Sequence, residues 1–214
     1  MSVSVKVCGI TREVDADFAL QNGASRIGFI LYEKSPRKIK FKEIDRIRNS
    51  FDLKPSCMVA VQVEPTIETL EEIIDFGFGF IQLHFSYDFS LKLINKWSDM
   101  VGSERLWLAP KLPMGKDFPK DILQFADTFL IDAHTDDKFG GTGKLANWDG
   151  FYRWQNEYKT KKWVLAGGLS PENIKNALKV TQTNLIDVNS GVETKPGIKD
   201  PQKLKLLFQE IYNL

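Results

Sequence analysis

The sequence is short of cysteine, of long apolar runs and of net charge, and each shortage removes a class of protein. Its two cysteines, Cys8 and Cys57, belong to no CxxC pair and no Cys/His cluster with zinc spacing. That excludes a disulfide scaffold and suits a reducing compartment, so a cytoplasmic protein is expected. No apolar run approaches the roughly 18 residues of a membrane span, and MSVSVKVCG lacks the apolar segment and cleavage site of a signal peptide. Lys and Arg number 29 against 28 Asp and Glu, a net charge of +1, so bulk charge draws neither nucleic acid nor an anionic membrane. Any anionic ligand must be caught locally. Nucleotide motifs are missing as well. The first turn, CGITRE, has one glycine where a dinucleotide fold has GxGxxG, and GGTGK at 140–144 has Lys138 and Leu145 where a P-loop needs glycine and Ser or Thr.

What the sequence does have is alternation. Apolar, β-branched-rich runs recur at 4–10, 26–31, 57–63, 80–85, 105–112, 128–133, 162–168 and 185–191. Several are apolar at successive positions, the pattern of strands covered on both faces of a parallel sheet. Between and after them lie segments of helical spacing, at 13–22, 41–50, 66–76, 89–98, 119–126, 149–159, 171–180 and 201–213. Pro65-Thr66, Ser170-Pro171 and Asp200-Pro201 supply caps or first-turn prolines at three of these starts. Eight strand–helix units at a period of roughly 25 residues predict an α/β fold of the (β/α)₈ TIM-barrel class, one domain over 1–214.

In such a barrel the active site is built at the C-terminal ends of the strands. The residues available there are Cys8, Arg37, Gln82 with His84, Lys111, Asp132, Gly167 with Gly168, and Asp187 through Gly191. LAGGLSPENI after the seventh strand and DVNSGVE after the eighth suit a phosphate cup, because glycines let backbone N–H groups approach an anion; the alternative is that they only permit tight turns. Taken alone, Cys8 reads as a small buried hydrophobe; as a base it would need nearby positive charge, since an ordinary thiol is only a few per cent thiolate at neutral pH. Cys57 begins its strand and would lie at the opposite end of the barrel. Asp132 is either a buried acid able to donate a proton or the cap of the loop after it. His134 is an alternative donor, and His84 either a substrate contact or a hydrogen-bonded core histidine. Arg37, in EKSPRKI, could fork onto a substrate carboxylate or belong to a solvated basic loop with Lys34 and Lys38. The long irregular segment 134–148 suggests an active-site loop.

Together KVCGIT, GFILYEKSPR, QLH, LIDAHTDDKFGGTGKLANW, LAGGLSPENI and DVNSGVETKPGIKD resemble, in order and spacing, the phosphoribosylanthranilate isomerase family of tryptophan biosynthesis. The resemblance implies a (β/α)₈ enzyme that catalyses an Amadori rearrangement without metal or organic cofactor. It implies Cys8 as general base and Asp132 as general acid, Arg37 on the anthranilate carboxylate, His84 and Asp187 near the substrate, and Gly167, Gly168, Ser190 and Gly191 on the phosphate. The chain departs from the family's usual pattern at Gln62, Glu64, Phe85 and LANW. The expected partner is a small-molecule substrate, with neither nucleic acid nor membrane, and the chain is expected to be a monomer or a homodimer. Competing readings are another phosphosugar isomerase or epimerase on the same barrel, and a phosphoribosyl-binding barrel without catalysis.

Overall fold

A computed structural model describes residues 3–113, 115–132 and 147–214. Eight parallel strands, β1 (Ser4–Val7), β2 (Arg26–Ile30), β3 (Met58–Val63), β4 (Phe80–Phe85), β5 (Leu106–Pro110), β6 (Thr128–Asp132), β7 (Lys162–Ala166) and β8 (Leu185–Val188), form a closed barrel in sequence order. Closure is made by β1 against β8, in a register that sets Lys6 opposite Asp187. Among the described residues seven α-helices accompany them: α1 (Glu13–Gln21), α2 (Phe41–Ser50), α3 (Ile67–Phe76), α4 (Leu91–Val101), α5 (Trp148–Glu157), α6 (Ile174–Thr181) and α7 (Pro201–Tyr212). This is the (β/α)₈ architecture that the strand–helix alternation predicts.

Local chemistry explains the helix ends. Thr66 Oγ1 accepts the N–H of Thr69 at the start of α3, and Gly77, in the left-handed region at φ 91°, stops that helix. Asp200 accepts from the N–H groups of Gln202 and Lys203 ahead of Pro201. Three segments differ from the sequence expectation. The helix expected at 119–126 is a 3₁₀ turn, Lys120–Phe125, next to Phe118, whose ring is wedged among Phe129, Trp154 and Trp163. The helix expected from 171 begins at Ile174, because Asn173 folds back on the preceding turn: its side chain accepts from Ser170 N–H and donates to Gly168 O. Beyond β8 the chain makes a 3₁₀ turn, Ser190–Val192, and then a hairpin of β9 (Glu193–Lys195) and β10 (Ile198–Lys199) that the apolar pattern does not reveal.

The strands separate two apolar cores. Outward residues such as Val5, Val7, Phe29, Leu83 and Leu108 pack against the helices, while Val59, Val61, Trp107, Ala109, Leu130, Val164 and Ala166 fill the barrel interior with Cys8. Among the described residues no helix is long and apolar enough to cross a membrane.

Candidate active site

β1 exposes its chemistry by simple alternation. Val5 and Val7 face the helices, so Lys6 and Cys8 face the interior, and the Cys8 N–H donates to Val188 O at 2.8 Å where β1 meets β8. Cys8 is only 3% exposed. Lys6, 2% exposed, places Nζ 2.9 Å from Oδ1 of Asp187, itself 7% exposed. This buried ion pair is the geometry in which breaking one partner costs about 3–5 kcal/mol, because the other charge is stranded. Burial works against the Lys6 ammonium, but Asp187 and Cys8 outweigh it and hold its pKa above the ordinary value. Burial pushes the Asp187 carboxyl up against the pull of Lys6, and the 2.9 Å contact is that of a charged pair. Burial also raises the Cys8 thiol; Lys6 is the strongest influence drawing it back, Asp187 pushes it further up, and Lys199 draws it down. At neutral pH the resting residue is therefore the thiol.

On β4 Gln82 and His84 share the inward face, and Gln82 Nε2 donates to His84 Nε2 at 2.7 Å. Burial and the nearby Lys6 ammonium bring the His84 pKa down to about 4, so the ring is neutral, and Gln82 leaves its proton on Nδ1. Gln82 Oε1 is buried with no hydrogen-bond partner among the described residues. Asp132 ends β6, exposed rather than buried, and its charge works to raise the Asp187 carboxyl. His134 and most of the 134–148 segment lie outside the described residues.

Arg37 stands after β2, as expected, but its fork is engaged within the chain: Nε and Nη2 donate to the Glu193 carboxylate at 2.7–3.0 Å. Glu193 also accepts from Lys199 Nζ at 2.8 Å, and Lys199, 1% exposed, donates to Asn189 Oδ1 at 2.9 Å. Burial works to raise the Glu193 carboxyl, yet the bonds from Arg37 and Lys199 hold it below the usual range. Burial lowers the Lys199 ammonium. The Arg37 guanidinium is thus fixed in place by the β9–β10 hairpin, and its Nη1 makes no hydrogen bond among the described residues.

The two glycine turns meet. Gly167 and Gly168 both have positive φ, at 95° and 60°. A side-chain carbon on Gly191 would lie 2.1 Å from Leu169 O, so only glycine lets the turn after β8 seat against the turn after β7. Ser190 begins that second turn. Cys57, half-buried, lies in the 3₁₀ turn Pro55–Cys57 that leads into β3, at the opposite end of the barrel. Among the described residues no group of three His, Cys, Asp or Glu side chains is placed to hold a metal ion.

The sequence reading overlooked Lys6, Glu193 and Lys199. Lys6 was within reach, since it lies two residues before Cys8 on a strand and must share its face. Glu193 and Lys199 offered no periodic signal, because they join only through the hairpin.

Fold and site together define the class: a (β/α)₈-barrel enzyme whose C-terminal mouth holds a thiol, carboxylates, a buried ammonium and paired glycine turns. The family model for N-(5′-phosphoribosyl)anthranilate isomerase matches residues 5–210. The isomerase of that name from Zymomonas mobilis subsp. pomaceae is 34% identical over 220 residues, 99% of each chain. The crystal structure of the Thermotoga maritima phosphoribosyl anthranilate isomerase superposes with a TM-score of 0.79 at 30% identity, covering 99% of this chain and 100% of that one. A crystal structure of the isomerase in complex with reduced 1-(o-carboxyphenylamino)-1-deoxyribulose 5-phosphate gives 0.75 at 29% identity, with the same coverage. The chain belongs to the phosphoribosylanthranilate isomerase family.

Proposed function

We propose that the chain converts N-(5-phosphoribosyl)anthranilate to 1-(2-carboxyphenylamino)-1-deoxyribulose 5-phosphate, with Asp132 as general acid and Cys8 as general base. Family membership over nearly the whole chain supports the reaction. The observation that supports the roles is placement: Cys8, at the end of β1, faces the barrel interior, and Asp132 ends β6 at the same mouth.

Asp132 gives a proton to the ribose ring oxygen as the C1–O bond breaks, and the anthranilate nitrogen supplies the electron pair that makes the iminium. That cation acidifies the C2 hydrogen. Cys8, its thiol proton first released to solvent, acts as the thiolate: it forms its S–H bond while the C2–H electrons move to neutralise the iminium, and the enolamine tautomerises to the ketone. Gly167, Gly168, Ser190 and Gly191 hold the phosphate through backbone N–H groups. Arg37, fixed by Glu193, offers Nη1 to the anthranilate carboxylate. His84, neutral, presents its Nδ1–H as a donor to substrate, and Asp187 acts from beside the substrate by holding Lys6.

The test is turnover of phosphoribosylanthranilate, followed by loss of its fluorescence. Wild type should turn it over, and Cys8→Ala and Asp132→Asn should each lose at least about 10²-fold in kcat with binding largely retained. No turnover by wild type would refute the reaction; near-normal turnover by a variant would remove that residue from it.

A further inference from the structure

Lys6 has no part in the chemistry above, yet its ammonium is the charge acting most strongly on Cys8. Two contacts fix it. Asp187 holds Nζ at 2.9 Å from the neighbouring strand, and Gly28 on β2 leaves the space it fills: a side-chain carbon there would lie 2.9 Å from Lys6 Nζ and 3.0 Å from Cys8 Sγ. Ammonium and sulfur therefore flank one small gap in the barrel wall. The other charges around Cys8 are differently placed. Asp187 on β8 is anionic and opposes a thiolate, and Asp132 on β6 adds to Asp187. Lys199 on β10 is tied to Glu193 and Asn189 and acts least on the sulfur, while His84 on β4 is neutral.

We propose that Lys6 is the positioning residue of the base: its ammonium, pinned by Asp187 and seated beside Cys8 in the space left by Gly28, is the fixed positive charge against which the thiolate forms. Lys6 neither gives nor takes a proton. It lowers the cost of the charge on sulfur before the C2–H bond breaks, and Asp187 keeps the long side chain from swinging away. The inference rests on Cys8 being the general base.

The test uses the full chain with Cys57→Ser, so that thiolate absorbance in the ultraviolet reports Cys8 alone. Three proteins are compared: Lys6 intact, Lys6→Met, and Lys6→Met with Asp187→Asn, which leaves no carboxylate stranded. An opposite charge at close range shifts a pKa by about 1–3 units. The Cys8 midpoint should rise by about one unit or more in the single variant and by less, in the same direction, in the double one. The acid limb of kcat/KM should move up with it. A Cys8 midpoint unchanged in a folded variant overturns the inference, as does a moved midpoint with an unmoved limb. Cys8→Ala with normal turnover would instead refute the base assignment, and the titration would still measure whether Lys6 acts on the thiol.

Discussion

On β2, Gly28 and Phe29 are adjacent residues with opposite duties. Phe29 is fully buried against the helices, with its ring 6.3 Å from that of Phe78, whereas Gly28 faces inward and makes room for Lys6 and Cys8. The same division runs round the barrel: the outward faces are apolar and held by packing, while the inward faces near the mouth carry Lys6, Cys8, Gln82, His84 and Asp187. One strand thus serves stability with one residue and chemistry with the next, and the period of two keeps the duties apart.

The two duties separate when one face is substituted at a time. The largest expected effect on stability is from Phe29→Ala, which should cost about 3–5 kcal/mol in denaturant unfolding while kcat per folded molecule stays near wild type. A large fall in kcat would show that the faces are not independent. His84 should give a pH-dependent effect. Its folded pKa of about 4 lies below the unfolded value of about 6.5, so between these the unfolded chain binds the extra proton and stability falls as pH drops. His84 keeps some solvent contact, which makes about 3 kcal/mol an upper bound. Unfolding of His84→Gln followed from pH 7 to 4 should show that slope flattened. Gly28→Ala should cost only about 1–3 kcal/mol, yet lower kcat/KM about tenfold by crowding the Lys6 ammonium away from the sulfur. Gly191→Ala forces a methyl carbon to 2.1 Å from the backbone Leu169 O, so the two turns must part. Its KM should rise several-fold for the phosphorylated substrate with little change in kcat, as measured by steady-state turnover.

Much of this division was legible in the sequence. Runs of successive apolar residues such as TFLID mark strands covered on both faces, and Thr66 and Asp200 mark helix starts through backbone chemistry that is local to the chain. Cys8, Arg37 and Asp132 could be read because strand ends are where a barrel gathers polar groups. The Arg37–Glu193–Lys199 network could not, because residues 156 and 6 positions apart meet only when the hairpin after β8 folds over the turn after β2. The late start of α6 was hidden for a related reason. Ser170-Pro171-Glu172-Asn173 has the composition of a helix start, but Asn173 uses its side chain to hold the Gly168 turn instead.

On this mechanism the inward-facing thiol at the end of β1 takes the proton from substrate carbon. The most direct measurement is the kcat of Cys8→Ala beside wild type on phosphoribosylanthranilate, with unfolding stability recorded for both. A loss of at least about 10²-fold with the fold intact is expected. Turnover within a few-fold of wild type would contradict it.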